Sequence, residues 1–296
     1  MDTEGRLERY RDADRWPVEE SLAAMLDNQQ SAFVAVHNAL PALAQAARTA
    51  AARLGDAGRL IYVGAGASGR LAVQDGVELY PTFGWPNERL VYLQAGGVEA
   101  LVRSLEGAED DAEAGRSAVL DLNPGASDVV IAVAASGTTA FTRAAQTAGR
   151  AAGALTVGLA NNPAAPLLAE VDIPILLHTG SEFLAGSTRM TAGTAQKIAL
   201  NLLSTQLMIE LGRVYQGFMV NVVPSNAKLV ARSQRIVQVL AGCDPDAAAA
   251  AWEQAGRDIR LAVLLLDGLD HATASARLAE ARGDLRRARP SHSPDR

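Results

Sequence analysis

Five short apolar runs set the architecture this chain can adopt. They are 59–63 (RLIYV), 90–94 (LVYLQ), 128–134 (DVVIAVA), 154–160 (ALTVGLA) and 171–177 (VDIPILL). Between them lie Ala- and Leu-rich stretches with helical periodicity, clearest over 98–120 and 138–151. Strands that are apolar on both faces and alternate with helices imply a parallel sheet covered on both sides. Right-handed crossovers then make it doubly wound. The expectation is an α/β fold with a five-stranded parallel sheet.

The flanks read as helical. Over 17–54, Leu22, Met25, Phe33, Val36, Leu40 and Leu43 recur at helical spacing, which suggests two helices ended or bent at Pro41. A long helix is expected over about 191–212, stopped by Gly212, and 244 to about 287 is helical with no strand signal. The expected division is an N-terminal helical segment (1–55), a central α/β domain (56–235), a small helical domain (236–287) and a disordered tail (288–296).

At 49% hydrophobic and 20% charged residues, the chain has the composition of a globular protein. A formal net charge of −6 gives no bulk attraction to nucleic acid or an anionic membrane, so neither is expected as a partner. Cys243 is the only cysteine, which excludes an internal disulfide and fits a reducing compartment. The first residues, MDTEGRLERYRDADRW, lack the apolar core of a signal peptide, and no stretch reaches the roughly 18 apolar residues of a membrane span. A soluble, cytoplasmic protein is expected.

In an open parallel sheet, ligands bind beyond the carboxyl ends of the strands. The residues there are Gly64-Ala65-Gly66-Ala67-Ser68-Gly69-Arg70, then Ala135-Ser136-Gly137-Thr138-Thr139, then Thr179-Gly180-Ser181 and Gly186-Ser187-Thr188-Arg189. Glycines let backbone approach a ligand, hydroxyls donate to phosphate oxygens, and a following helix N-terminus adds amide donors. Three such loops in register suit a monophosphate held by Gly66, Ser68, Gly69, Ser136, Gly137, Thr138, Thr139, Ser187 and Thr188. Any one of them alone reads as an ordinary loop or cap. The first loop also fits G-x-G-x-x-G, but the second strand ends in Gln94 rather than an acidic residue, which argues against a dinucleotide.

Two sets of carboxylates stand out. Glu78 lies ten residues after Ser68, and Glu106 and Glu109 begin an acidic run that would share one face of a helix. Spacing alone reads that run as a solvated surface. No His or Cys pair has metal-ligand spacing, and no nucleophile elbow appears. Lys197 and Arg189 flank the start of the long helix, as surface charge or as ligand anchors.

The blocks Gly64 to Leu71, Pro81-Thr82-Phe83-Gly84, Glu106 to Asp110, Ala134 to Gly137, Gly186 to Met190 and Ala192 to Lys197 resemble those of the N-acetylmuramic acid 6-phosphate etherase family. The resemblance runs from about residue 17 to Leu229 and more loosely to about 285. It implies a sugar-isomerase (SIS), flavodoxin-like fold shared with glucokinase regulatory protein. It also implies cleavage of a lactyl ether by two glutamates, with Glu78 as proton donor and Glu109 as base. Substrate binding would fall to the loop residues above with Glu106 and Lys197. No cofactor or metal is implied, and a homodimer with a pocket shared between subunits is. The family commonly has Thr at position 67, Arg at 138 and Lys at 191, where this chain has Ala67, Thr138 and Thr191. Three functions therefore stand side by side: the etherase, a phosphosugar isomerase or paralogue acting on another phosphosugar, and a non-catalytic sugar-phosphate sensor.

Overall fold

Five strands, each apolar on both faces, form one parallel sheet. The computed structural model describes residues 2–289. The strands are β1 (Leu60–Gly64), β2 (Leu90–Gln94), β3 (Val129–Val133), β4 (Leu155–Ala160) and β5 (Ile173–Leu176), in the order β2-β1-β3-β4-β5. Every pairing is parallel, and β1 runs between β2 and β3, with Leu60 opposite both Leu90 and Val129. Every residue of β1, β3 and β4 is buried, as expected for a sheet with helices on both faces. The order reverses between β1 and β3, so the switch point lies beside the loop Gly64–Gly69. The expected fold class is observed.

The helices are α1 (Val18–Leu54), α2 (Gly66–Val77), α3 (Leu79–Phe83), α4 (Ala112–Leu120), α5 (Ala140–Ala151), α6 (Pro166–Glu170), α7 (Thr191–Glu210), α8 (Ala227–Ala241), α9 (Pro245–Gln254), α10 (Ile259–Leu266), α11 (His271–Glu280) and α12 (Leu285–Ala288). Two short strands, β6 (Val214–Tyr215) and β7 (Phe218–Met219), follow α7. Among the described residues, no helix is long and apolar enough to cross a membrane.

Two expectations need correction. The segment 17–54 is one helix with Pro41 inside it, not two. Pro41 and His37, whose carbonyl loses its partner, both lie on the exposed side, where the unpaired carbonyl is open to solvent. The buried alanines and leucines on either side of Pro41 keep the helix in one piece. The region 98–120 is not a continuous helix either. It forms two 3₁₀ turns, Val98–Leu101 and Ala108–Asp110, before α4 begins at Ala112. Gly107, at φ +74°, breaks the path, and the Asp111 carboxylate caps α4 by accepting from Ala114 N–H at 2.8 Å.

The chain divides into two compact units. The first comprises residues 1–76 and 88–206, the second 77–87 and 207 onward. The first is the sheet with its helices. Its polar fastening at the amino ends of the strands is Arg59, whose guanidinium grips Asp128 at 2.7 and 3.1 Å.

The second unit holds the helices expected after residue 236, together with α8, the β6–β7 hairpin and α3. Gln216 and Gly217, both at positive φ, form the two-residue turn that a tight hairpin demands. Its core gathers Ile236, Val237, Trp252, Val263 and Leu264. Asp244, Asp258, Asp270 and Asp284 each cap a helix there. The first two residues of the expected tail are held in the fold: Ala288 closes α12, and the Arg289 guanidinium pairs with Asp267 at 2.6 and 2.7 Å. Residues 290–296 lie outside the described residues.

Candidate active site

The site begins where β1 meets α2. Gly64 ends the strand and Gly66, at φ +52°, turns the chain into the helix. Strand end and helix then approach each other closely. A Cβ on Gly69 would stand 2.8 Å from the Gly64 carbonyl carbon and 1.9 Å from Gln94 Oε1, so this position has no room for a side chain. The third glycine of the loop is therefore set by packing, and the first helical turn presents its backbone to solvent at Gly66.

A cleft of about 350 Å³ opens against this loop, lined by Ala65, Gly66, Arg70, Gln94, Ser104, Glu106 and Glu109, among others. Arg70 builds its wall. Its guanidinium donates to the carbonyls of Ala100 (2.9 Å) and Arg103 (2.8 Å), tying α2 to the segment that carries the glutamates. Glu106 and Glu109 are both exposed and both line the cleft, but on a turn interrupted by Gly107 rather than on one helical face. Gln94 is 7% exposed and lends the cleft a buried carbonyl oxygen, Oε1, that accepts no hydrogen bond. Such an atom in a cleft wall is a point for a ligand hydroxyl to satisfy.

The second loop follows β3. The Ser136 hydroxyl accepts from Thr138 N–H at 3.2 Å and from the Thr138 hydroxyl at 2.9 Å, so the loop holds its own shape. Gly137 sits at φ +70°, where a Cβ would be 2.3 Å from that of Ala165. Thr139 leads directly into α5.

The third loop, 177–190, joins β5 to α7 and carries Ser187 and Thr188. Glu182, fully buried, accepts from the N–H groups of Thr191 and Ala192 at 2.8 Å each and so fixes the start of α7. Position 191, where the resembling family commonly has Lys, holds a buried Thr that accepts from Asn28 Nδ2 at 3.2 Å.

Lys197 is exposed on α7, and its ammonium donates to Asn201 Oδ1. The Asn201 amide donates in turn to Asp75, at 2.6 Å, which is only 6% exposed. Ser204 and Tyr62 hydroxyls also donate to Asp75, at 3.1 and 3.2 Å. Burial pushes the Asp75 carboxyl above its ordinary value, although Asn201, Ser204, Tyr62 and the Lys197 charge all pull it back. Burial, with the Asp75 charge adding to it, moves the Tyr92 hydroxyl up to about 12.

Glu78 belongs to the second unit. It stands in helical conformation immediately before α3, with its side chain exposed, and its carbonyl accepts from Thr82 N–H at 3.2 Å.

Sequence reasoning missed Gln94, Asp75, Glu182 and Arg70 as parts of the site. A polar side chain ending an apolar strand was a signal for Gln94. Asp75 and Arg70 find partners too distant in sequence to leave one, and Glu182 caps a helix from nine residues upstream, outside the spacing of a local cap. A larger groove of about 630 Å³ runs between α4 and α5, but alanines line most of it, and Arg143 and Glu170 in its wall are paired with each other. It offers no convergent polar atoms, whereas the smaller cleft does.

Comparison with known proteins places these features in context. Residues 42–149 match the family described as glucokinase regulatory protein N-terminal SIS domain. An N-acetylmuramic acid 6-phosphate etherase of Deinococcus radiodurans is 52% identical over 278 residues, covering 94% of this chain and 91% of that protein. One of Mesorhizobium japonicum is 43% identical, covering 97% and 94%. One of Cutibacterium acnes is 42% identical, covering 96% and 94%.

Proposed function

The chain belongs to the N-acetylmuramic acid 6-phosphate etherase family, and on that premise we propose that it cleaves the D-lactyl ether of this sugar phosphate, giving N-acetylglucosamine 6-phosphate and D-lactate. The observation that carries the reading is 52% identity across 94% of the chain.

The chemistry accounts for the groups. An alkyl ether oxygen is a poor leaving group, but in the open-chain aldehyde the C2 proton is acidic. A carboxylate removes that proton, the C3–O bond breaks, and an acid protonates the departing lactate oxygen. Water then adds at C3 and a proton returns to C2, so the net change is the addition of one water. One carboxyl must be ionised and the other protonated at the moment of elimination. We assign Glu109 as the base and Glu78 as the acid. Glu109 lines the cleft beside the glycine loop, which supports its place near the sugar.

The phosphate is assigned to the small-residue loops. Amide donors at Gly66 and Ser68 open α2, while Gly69, whose N–H donates to the Ala65 carbonyl at 3.1 Å, closes the first turn behind them. The hydroxyls of Ser136, Thr138, Thr139, Ser187 and Thr188 stand at other strand ends, with the Gly137 turn shaping the second loop. Glu106 is assigned to a sugar hydroxyl and Lys197 to an anionic group of the substrate.

We also assign a homodimer whose subunits share the pocket, and a cytoplasmic location. Support for a second copy comes from α1, which exposes Val18, Leu22, Leu26 and Phe33 on one face, and from exposed Leu202 and Ile209 on α7. A monomer by light scattering would overturn the dimer.

The test of the activity is incubation of purified protein with N-acetylmuramic acid 6-phosphate and assay of D-lactate. Release is expected. A folded protein that binds the sugar phosphate but releases no lactate would overturn the reading.

A further inference from the structure

The loop carrying Ser187 and Thr188 is long, contains no strand, and is gripped from a remote part of the chain. Thr3, in the turn Asp2–Glu4, is fully buried although the residues around it are largely exposed. Its carbonyl accepts from Gly186 N–H at 3.0 Å, immediately before Ser187. Its backbone N–H donates to Asn162 Oδ1 at 3.3 Å, and its hydroxyl accepts from Asn162 Nδ2 at 3.1 Å. Asn162 follows β4 and donates in the other direction to the Ala135 carbonyl at 3.2 Å, immediately before Ser136. One threonine thus stands between the loop after β3 and the loop after β5.

The chain that follows the turn adds two further holds, one from Tyr10 and one from Ser31 on α1. Tyr10 packs on Phe183 with ring centroids 4.6 Å apart, and the Ser31 hydroxyl donates to the Thr179 carbonyl at 3.1 Å. Gly186, at φ +76°, has the Glu4 carboxylate against it, 2.9 Å from where a Cβ would be. The turn is therefore fitted to this loop by hydrogen bonds and steric closeness, with the Tyr10 ring packing beside it.

We propose that Thr3 is a positioning residue of the phosphosugar site, setting the separation of the Ser136 and Ser187 hydroxyls through Asn162 and Gly186. This rests on the assignment of those loops to the phosphate. A phosphoryl group takes donors from several directions at fixed distances, so a loop free to shift loses affinity without losing any ligand-contacting side chain. Thr3 itself touches no substrate in this account.

The test compares Thr3→Val and Thr3→Ser with the parent chain, using N-acetylglucosamine 6-phosphate as the probe in calorimetry. Hydrogen exchange of the 183–190 segment is followed in parallel. Valine keeps the shape and deletes the hydroxyl, and serine restores it. The expected result for valine is a Kd raised about five- to tenfold, the equivalent of one net hydrogen bond. Faster exchange at 183–190, a melting temperature lowered by no more than about 2–4 °C, and recovery of affinity and exchange with serine are expected alongside. Parental affinity in the valine variant, or a loss that serine does not restore, overturns the proposal. If lactate release fails in the parent while the probe binds and valine weakens it, the activity reading falls and Thr3 stands. If the parent does not bind the probe at all, both fall.

Discussion

Glu182 Oε2 lies 2.8 Å from the backbone nitrogen of Thr191, and Oε1 of the same carboxylate lies 2.8 Å from that of Ala192. One fully buried side chain thereby satisfies two of the amide donors that every helix start leaves open, and its charge opposes the positive end of α7. Glu182→Gln keeps one acceptor but turns an amide toward the second N–H. Urea unfolding is expected to register a loss of about 1–3 kcal/mol. Unchanged stability would mean that the pair of bonds adds nothing beyond what water supplies.

The two proposed catalytic carboxylates can be separated from binding. Glu78→Gln and Glu109→Gln should each lower D-lactate release by at least about 100-fold, the usual minimum for a removed acid or base. Both should still bind N-acetylglucosamine 6-phosphate. A variant that turns over near the parental rate removes its residue from the mechanism.

At the glycine loop, a single methyl group is the probe. Gly69→Ala puts a Cβ against the Gly64 carbonyl carbon and Gln94 Oε1, so the strand end and helix must separate or the Gln94 side chain must leave the cleft. Overpacking of this kind costs about 1–3 kcal/mol. Denaturation should show that cost and calorimetry a weaker sugar phosphate. Parental values in both would show that the close approach is not required.

The amino ends of the central strands, opposite the loops, supply a control with a pH signature. Burial pushes the Asp128 carboxyl up, but hydrogen bonds from the Arg59 side chain, Gly125 N–H and Arg59 N–H, with the Arg59 charge, outweigh it and hold it below 3.8. A depressed carboxyl stabilises the fold above its unfolded value, and that stability is lost as pH falls through the folded value. Asp128→Asn should therefore cost about 2–3 kcal/mol at pH 7 and much less at pH 2–3, with kcat and KM unaltered at neutral pH. A cost that does not shrink in acid would contradict the assignment.

Asp75 should behave with the reverse sign. Its carboxyl is raised by burial, so its favourable linkage is complete below 3.8 and is lost as pH rises through the folded value. Carboxyl-selective NMR titration should find it protonated at a pH where exposed aspartates are ionised. A midpoint at or below the ordinary value would contradict the picture of burial outweighing its three donors.

The sheet was legible because period and composition act locally. All five strands fall within two residues of the apolar runs, and the loops at their carboxyl ends follow from parallel topology. Pro41 misled because its missing N–H matters only if it faces the interior, and it faces water. Gly107 misled in the other direction, since one positive φ outweighed the helical spacing around it. The β6–β7 hairpin has strands too short to show a period. Asp75 finds Asn201 across 126 positions and Thr3 finds Asn162 across 159, so no local pattern announces either. The roles of Glu78 and Glu109 came from resemblance alone, because an exposed glutamate looks the same in sequence whether or not it does chemistry.

The place of β1 between β2 and β3 has a consequence during synthesis. Leu60 emerges from the ribosome well before Leu90 and long before Val129, its partners on either side. Until then the strand is an apolar segment with two open edges, the state that chaperones bind and aggregates recruit. The glycine loop hangs from the end of that strand. A nascent chain that stops short of residue 128 therefore carries every letter of the loop and none of its shape.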